Sequence, residues 1–232
     1  MSTTNELIAL IRSIVDLDEN DLPTSLLQTY LRDGYDRTIN LERSWPFLET
    51  TYTFNTVASQ REYALSSIGS GDLREASSMV DTSTAGNRLR IIATDEAESI
   101  WVGGLDTPSR PMFFAIWEDT ISLYPKPDSI YPIKVRGYRK PSYDWVTNNT
   151  LAVDCDDRLH TALAYYALSK TYERQEDAEM ANVYKNSFAE AITIARKEIM
   201  RAPTHRPTIL SRGVAYPSYN RWLQQIGRTL GQ

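Results

Sequence analysis

The feature that most constrains the fold is a long helical stretch near the end of the chain, from Asp157 to Arg201. Apolar residues recur in it three and four apart, which places them along one side of a helix. A polar break, Arg174-Gln175-Glu176-Asp177, divides the stretch, and the short carboxylate of Asp177 is suited to cap the helix that follows. The pattern therefore predicts two consecutive helices.

The first of these helices is apolar on a second side, which carries Ala164, Tyr165, Leu168 and Tyr172. A helix that is apolar on two sides has to be covered on two sides. One cover can come from its own domain and the other from a neighbouring subunit.

The spacing of apolar residues is different in the part of the chain that precedes these two helices. Two helices are predicted before residue 48, and from Glu49 to Tyr143 the apolar residues recur every second position, which is typical of strands. About seven short strands are expected there, and the clearest hairpin joins Phe113–Trp117 to Thr120–Tyr124 through Glu118-Asp119. One short helix is expected from Thr94 to Trp101.

This order predicts an α+β fold in which N- and C-terminal helices form one helical domain around an inserted antiparallel β domain. The expected parts are residues 1–48 (first helices), 49–150 (β domain), 151–201 (long helices) and 202–232 (an extended basic arm).

The expected arm differs from the body in charge. Residues 201–232 hold five arginines and no Asp, Glu or Lys, although the formal charge of the whole chain is −5. Arginines interleaved with Tyr and Trp suit phosphate binding and base stacking, but they are also the residues that dominate protein interfaces. Because the arginines are spaced apart and the body is acidic, a protein partner is favoured.

The sequence contains no clear pattern of catalytic or metal-binding residues. Cys155 and His160 are badly spaced for a nucleophile and base on one helix, so a buried thiol is the better interpretation. Asp154, Asp156 and Asp157 lack the pattern of a calcium loop and suit the capping of a helix N-terminus. Gly69-Ser70-Gly71 and Gly103-Gly104 do not continue into a phosphate-loop motif. No catalytic residue, cofactor or metal is therefore predicted, although a pair of hydrolytic carboxylates has no fixed spacing and stays open.

The chain is expected to be made in a reducing cytosol and to have no membrane partner. It contains one cysteine, and its N-terminus lacks the pattern of a signal peptide. Its longest apolar run, Met112–Trp117, is too short to span a bilayer.

Three segments carry a resemblance to a known family. They are Ser44-Trp45-Pro46-Phe47 at the end of the first helices, the strand pair Ile121–Pro127 leading into Tyr131–Pro141, and Asp177–Tyr184 at the start of the last helix. Their order resembles the head-to-tail adaptor, or connector, proteins of tailed bacteriophages, which include the tubular adaptors of short-tailed phages.

The resemblance implies a structural virion protein of the neck: a ring of about twelve subunits between portal and tail, with a channel through which DNA passes without sequence-specific binding. It implies contacts with the portal protein and with a tail nozzle or fibre protein. The spare helix face, Tyr165, Leu168 and Tyr172, is then expected at the subunit interface. The residues expected to dock the arm on the portal are Arg206, Arg212, Tyr216, Tyr219, Arg221 and Trp222.

Two other functions stay open at this point. One is a virion-associated peptidoglycan hydrolase that uses two unassigned carboxylates. The other is a β binding module on a helical oligomerisation stem.

Overall fold

The computed structural model describes residues 2–42, 44–84, 86–101 and 107–200. The helices in these ranges are α1 (Thr4–Val15), α2 (Thr24–Leu41), α3 (Thr94–Trp101), α4 (Asp144–Thr147), α5 (Asp157–Arg174) and α6 (Ala178–Ile199). The strands are β1 (Glu49–Asn55), β2 (Glu62–Ala64), β3 (Leu73–Asp81), β4 (Arg88–Ile91), β5 (Phe113–Trp117), β6 (Thr120–Tyr124) and β7 (Pro132–Arg139).

These elements confirm the α+β fold class, and Met1–Ile199 form one compact unit. The division into four parts stays a prediction, and residues 202–232 lie outside the described residues. None of the helices in the described part of the chain is long and apolar enough to cross a membrane.

The two long helices begin and end as their sequence predicts. The backbone amide of Met180 donates to Oδ1 of Asp177 at 3.0 Å, so Asp177 caps the start of α6. The amide of Arg158 donates to Oδ1 of Asp156 at 3.1 Å, which caps α5 in the same way. Capping satisfies amides that have no partner within the helix.

The strands form one sheet in the order β1-β7-β3-β4-β5-β6-β2. The sheet curls around a single core, because Phe54 on one edge strand and Tyr63 on the other approach with their ring centroids 5.0 Å apart. The core residues come from both halves of the sheet and from the turns after β2: Tyr63, Leu65, Ile68, Leu73, Ala76, Met79, Leu89, Phe114, Ile121, Leu123, Ile133 and Val135.

The sheet is mixed, which corrects the expectation of a wholly antiparallel β domain. The β5–β6 hairpin is antiparallel as predicted, and Glu118 in its turn has a φ of 50°. However, β4 and β5 run parallel, with Arg90 opposite Phe113 and Ile91 opposite Phe114. The connection between these strands contains α3 and returns the chain to the same end of the sheet, which a short hairpin cannot do.

The segment Ser44-Trp45-Pro46-Phe47 ends the first helical part, as predicted. α2 stops at Leu41, a short 3₁₀ turn covers Pro46–Leu48, and β1 begins at the next residue. The Trp45 side chain is fully buried, and its Nε1 donates to the carbonyl of Thr38 at 3.1 Å. This anchor fixes where the chain passes from the helices into the sheet.

A bidentate ion pair closes the other passage between sheet and helices. Arg139, at the end of β7, donates from Nη1 and Nη2 to the two carboxylate oxygens of Asp154 at 2.6 and 2.5 Å. The same carboxylate accepts the backbone amide of Ser142 at 2.8 Å, and the Asp154 carbonyl accepts the Tyr35 hydroxyl at 2.9 Å. Asp154 therefore connects β7, the segment that precedes α5, and α2.

The N-terminus is bound to the start of α5 and to the segment before it. The backbone amide of Thr4 donates to the carbonyl of Leu151 at 3.1 Å, and its hydroxyl lies 3.2 Å from the carbonyl of Trp145. The backbone amide of Ser2 donates to Nδ1 of His160 at 3.3 Å. The imidazole is 4% exposed, and its burial lowers the pKa of His160 despite the nearby carboxylate of Asp157.

Two glycines permit close approaches that a side chain would block. A Cβ at Gly34 would lie 2.9 Å from Cδ1 of Tyr166, so this glycine lets α2 and α5 pack closely. A Cβ at Gly137 would lie 1.9 Å from the carbonyl oxygen of Glu75, on β3 beside a register shift. Backbone atoms cannot move aside as a side chain can.

We expect Gly137→Ala to lower the free energy of unfolding by about 1–3 kcal/mol or more, because the new methyl group overlaps a backbone carbonyl. Chemical denaturation followed by circular dichroism measures the change. Ser77→Ala, an exposed position in the same irregular part of β3, is the matched control and should stay within about 0.5 kcal/mol of the parent. Equal stability of the two variants would contradict the close approach.

We expect the stability of the protein to fall as the pH decreases from about 7 to about 5.5, with His160 contributing to the loss. The folded-state pKa of His160 is depressed, so its contribution is fully present above the unfolded-state pKa. It is lost as the pH falls toward the folded-state pKa, because the unfolded chain binds the proton more readily. A single such group gives a slope of at most about 1.4 kcal/mol per pH unit.

Unfolding measured at several pH values should show a shallower slope for His160→Gln than for the parent. His205→Gln replaces the other histidine and serves as the control that keeps the parent slope. Equal slopes for His160→Gln and the parent would show that His160 does not contribute.

Candidate subunit interface

Helix α5 lies at the centre of the helical part of the fold. It packs against α6, α2 and α1. Its buried residues point in almost every direction around the helix axis: Leu159, His160, Ala162, Leu163, Ala164, Tyr166, Ala167, Leu168, Ser169 and Thr171. The apolar second side that the sequence predicts is therefore present, and helices of the same chain cover most of it.

The three residues predicted at a subunit interface lie in different surroundings. Leu168 is fully buried inside the chain, so it is not part of the exposed surface. Tyr172 is half-buried and stacks on Tyr184 of α6, with centroids 5.4 Å apart and planes 5° apart. Tyr165 is half-buried and approaches the same ring at 6.1 Å. The two tyrosines reach the surface beside α6, and their contact with another subunit stays a prediction.

A groove runs along the surface where α5 and α6 meet. Its volume is about 440 Å³. α5 contributes Arg158, Thr161 and Tyr165, and α6 contributes its lining from Ser187 to Glu198. The groove thus contains one of the predicted interface residues and a set of α6 residues that the sequence did not assign.

The α6 residues beside this groove form a stripe, which we call the outer stripe of α6. Its two large aliphatic side chains, Val183 and Ile194, are 49% and 51% exposed. The stripe recurs at a spacing of three or four residues and consists of Val183, Ser187, Glu190, Ile194 and Glu198. The sequence contains a signal for this stripe. Val183 and Ile194 are large aliphatic residues that lie outside the apolar side by which α6 packs on α5.

Salt bridges close one end of the groove. Nε of Arg158 lies 2.8 Å from Oδ1 of Asp156, and Nη1 of Arg158 lies 3.8 Å from a carboxylate oxygen of Glu198. The hydrogen bond from Arg158 holds the pKa of Asp156 below its usual value. These contacts join the start of α5 to the end of α6, so the two walls of the groove have a defined separation at this end.

Another side of α5 makes polar contacts with α2. The hydroxyl of Tyr166 is hydrogen-bonded to the carboxylate of Asp33, and the guanidinium of Arg37 lies 5.4 Å from the centre of the Tyr166 ring. Burial, together with the bond to Asp33, raises the pKa of Tyr166 to about 12. The same ring contacts Phe188 of α6 at 5.1 Å. Tyr166 therefore connects three helices within the subunit.

The three aspartates around the start of α5 have separate structural roles rather than a shared one. Asp156 caps the helix, as predicted, whereas Asp154 pairs with Arg139. Asp157 lies 3.7 Å from Nδ1 of His160. Among the described residues, no group of three or more His, Cys, Asp or Glu side chains is arranged to hold a metal ion.

The thiol of Cys155 lies in the same segment. Burial, with the neighbouring carboxylates, raises the pKa of Cys155. A raised pKa keeps the sulfur protonated at neutral pH and therefore weakly nucleophilic.

The predicted docking residues of the arm lie outside the described residues. They are Arg206, Arg212, Tyr216, Tyr219, Arg221 and Trp222.

Comparison with known proteins places the chain in a family. The family model described as SU10 adaptor protein matches residues 2–208, which include the helices, the sheet and the helix pair described above. A search of curated proteins found no match. The chain belongs to the SU10 adaptor protein family, a family of phage head-to-tail adaptors, and its role is that of a structural adaptor of a bacteriophage.

Proposed function

We propose that copies of this chain form a ring of about twelve subunits in the neck of the virion, between the portal and the tail, and that DNA passes through the central channel. The role is structural and not catalytic. Membership of the adaptor family supports the location, and the resemblance to tubular adaptors supports the ring size.

The observation that carries this proposal is the outer stripe of α6 with the groove beside it. The sides of α5 and α6 that face each other are already filled by tyrosine and phenylalanine rings. The stripe nevertheless exposes two aliphatic side chains next to a groove that contains Tyr165. In a ring, each subunit uses two different surfaces, one for each neighbour. The groove and stripe provide one of these two surfaces.

The arm provides the contact with the portal in this proposal. Its arginine, tyrosine and tryptophan residues are the types that contribute most to protein interfaces. The arm is basic, so an acidic surface on the portal would bind it with favourable electrostatics. The seven-stranded sheet together with α3, which we call the β unit, is then left to contact a tail nozzle or fibre protein.

The charge of the body suits the passage of DNA. The five arginines of residues 201–232 leave the rest of the chain with a formal charge of about −10. Carboxylates repel the phosphate backbone, so DNA is expected to slide through the channel without being retained.

We expect Ile194→Asp to prevent ring formation, because a carboxylate would have to be buried without a partner at the subunit contact. Native mass spectrometry and negative-stain imaging, with and without the portal, measure assembly. Ala189→Asp is the matched control: Ala189 is exposed on α6 and lies about 140° around the helix axis from Ile194. Rings that form equally well from both variants would contradict the assigned surface.

We expect removal of residues 202–232 to abolish binding to the portal of the same phage and to leave the unfolding transition of the body unchanged, because Met1–Ile199 form their own compact unit. Binding is measured by co-sedimentation with purified portal rings. The variant Tyr216→Ala/Tyr219→Ala/Trp222→Ala keeps every arginine and separates the aromatic contribution from the charge. Portal binding that survives the truncation would show that another part of the chain makes the contact.

A further inference from the structure

Four cations lie on the outer surface of the sheet. Lys134 and Arg136 on β7 alternate with Ile133 and Val135, which are fully buried, so the two cations point away from the core. Arg88 and Arg90 flank buried Leu89 on β4 in the same way. We call Arg88, Arg90, Lys134 and Arg136 the cationic face.

The strand register arranges these cations in two rows. Lys134 and Arg88 are both paired with Val80 of β3, one from each side, and Arg136 is paired with Ser78. Cations on β7 and β4 are thus about 10 Å apart, with a small β3 side chain between them. Within the described residues, none of the four forms an ion pair, whereas Asp81 at the end of β3 is satisfied by Arg110 at 2.5 Å.

The carboxylates of this surface lie at its far end. Glu49 and Glu75 are each paired with Tyr138, two residues beyond Arg136. Among the described residues, the β4 side of the cationic face therefore has no carboxylate paired with its arginines.

A groove of opposite charge lies beside α3. Its volume is about 400 Å³, and Trp117, which is 65% exposed, forms part of its wall. One cation, Arg61, stacks on Tyr124 in the groove at 4.8 Å. Four carboxylates line it and define what we call the acidic groove: Glu62, Asp95, Glu98 and Glu118.

The acidic groove lies on the outer surface of the other half of the sheet. α3 packs there through Ala97, which contacts Ala115 and Tyr124 of β5 and β6. Because the sheet curls until Phe54 of β1 meets Tyr63 of β2, its outer surface runs around the β unit. The cationic face, on β7 and β4, and the acidic groove, lined from α3, β2 and the β5–β6 hairpin, are therefore two separate parts of this surface.

We propose that the cationic face of one copy docks on the acidic groove of the next copy around the ring. This inference rests on the proposed function and adds a contact between β units to the one between helices. Two different, complementary surfaces on one subunit are what a head-to-tail ring requires. Four cations meet four carboxylates, and the exposed ring of Trp117 is a suitable surface for an arginine guanidinium.

The charges favour a second copy over a nucleic acid. Both members of the complementary pair are present on this chain, in equal number and at fixed positions on a sheet. A phosphate backbone would satisfy the cationic face but would leave the acidic groove, with its exposed tryptophan, without a role.

The test is a charge swap. Arg88→Glu/Arg90→Glu reverses the two charges of the cationic face that lie on β4, and Glu62→Arg/Glu98→Arg reverses two of the four charges of the acidic groove. We expect each double variant to raise the protein concentration needed for half-maximal ring formation by about tenfold or more, because the net attraction is lost and the changed residues meet like charges. The variant with all four substitutions should assemble within about threefold of the parent, since the charges are complementary again.

Assembly is followed by native mass spectrometry at several salt concentrations, and circular dichroism verifies that each variant is folded. Raising the salt from about 0.05 M to about 0.5 M should weaken assembly of the parent and strengthen that of the double variants. Arg88→Lys/Arg90→Lys keeps the charge and is the control that should assemble like the parent.

Two results would overturn the pairing of the cationic face with the acidic groove. One is that the double variants assemble at the same protein concentration as the parent. The other is that the variant with all four substitutions needs as high a concentration as the double variants. If only retention of Arg88→Glu/Arg90→Glu on duplex DNA decreases, the cationic face binds nucleic acid instead. In each case rings that depend on Ile194 would leave the proposed function standing, whereas a parent that stays monomeric even with the portal would end both proposals.

Discussion

The burial of α5 is the constraint on which the rest of this structure depends. A helix with apolar residues around almost its whole circumference cannot remain at a surface, so it needs neighbours on every side. Its neighbours are α1 and α2 from the start of the chain and α6 from its end. Helices from both ends of the described chain cover this one helix, and the residues between them form the strands of the sheet. The place of the sheet in the chain, between the first and the last helices, therefore agrees with the packing of a single helix.

Two small sets of polar contacts hold the sheet to the helices. Where the chain passes from α2 into the sheet, Trp45 is buried and hydrogen-bonded to the last turns of α2. Where the chain returns from β7 to the helices, the Asp154 carboxylate accepts hydrogen bonds from Arg139 and from the Ser142 amide. A charge pair that is partly buried and bidentate has a narrow range of geometries, so it specifies orientation as well as adding stability. An adaptor that has to contact a different partner at each end would benefit from such a fixed connection.

The distribution of charge separates the functions assigned to the chain. The body is acidic overall, yet the outer surface of the sheet carries four cations on one part, without an ion pair among the residues that the structure describes, and a carboxylate-lined groove on another. The helical part instead exposes aliphatic side chains beside a groove. An apolar contact provides affinity and a charged contact provides orientation and selectivity. With both kinds on one chain, the proposed ring would hold and align each subunit through its neighbours, and the role we propose for the basic arm is to bind the portal.

The sequence by itself determined the local structure of this protein. The strands, the β5–β6 hairpin, the end of the first helices at Trp45 and the cap at Asp177 follow from periodicity and from turn and capping chemistry, which act between residues close in the chain. Only the tertiary structure decided which surfaces are covered. The apolar second side of α5 is the same whether another helix or another subunit covers it, so the burial of Leu168 by its own chain could not be read from its pattern.

The same reason applies to the sheet and to the charges. The parallel pairing of β4 with β5 and the bond of Asp154 to Arg139 depend on contacts between residues far apart in sequence. Lys134 and Arg136 come together with Arg88 and Arg90 only because β3 lies between β7 and β4. Periodicity reports whether a residue points inward or outward, and it carries no information on what lies on the next strand.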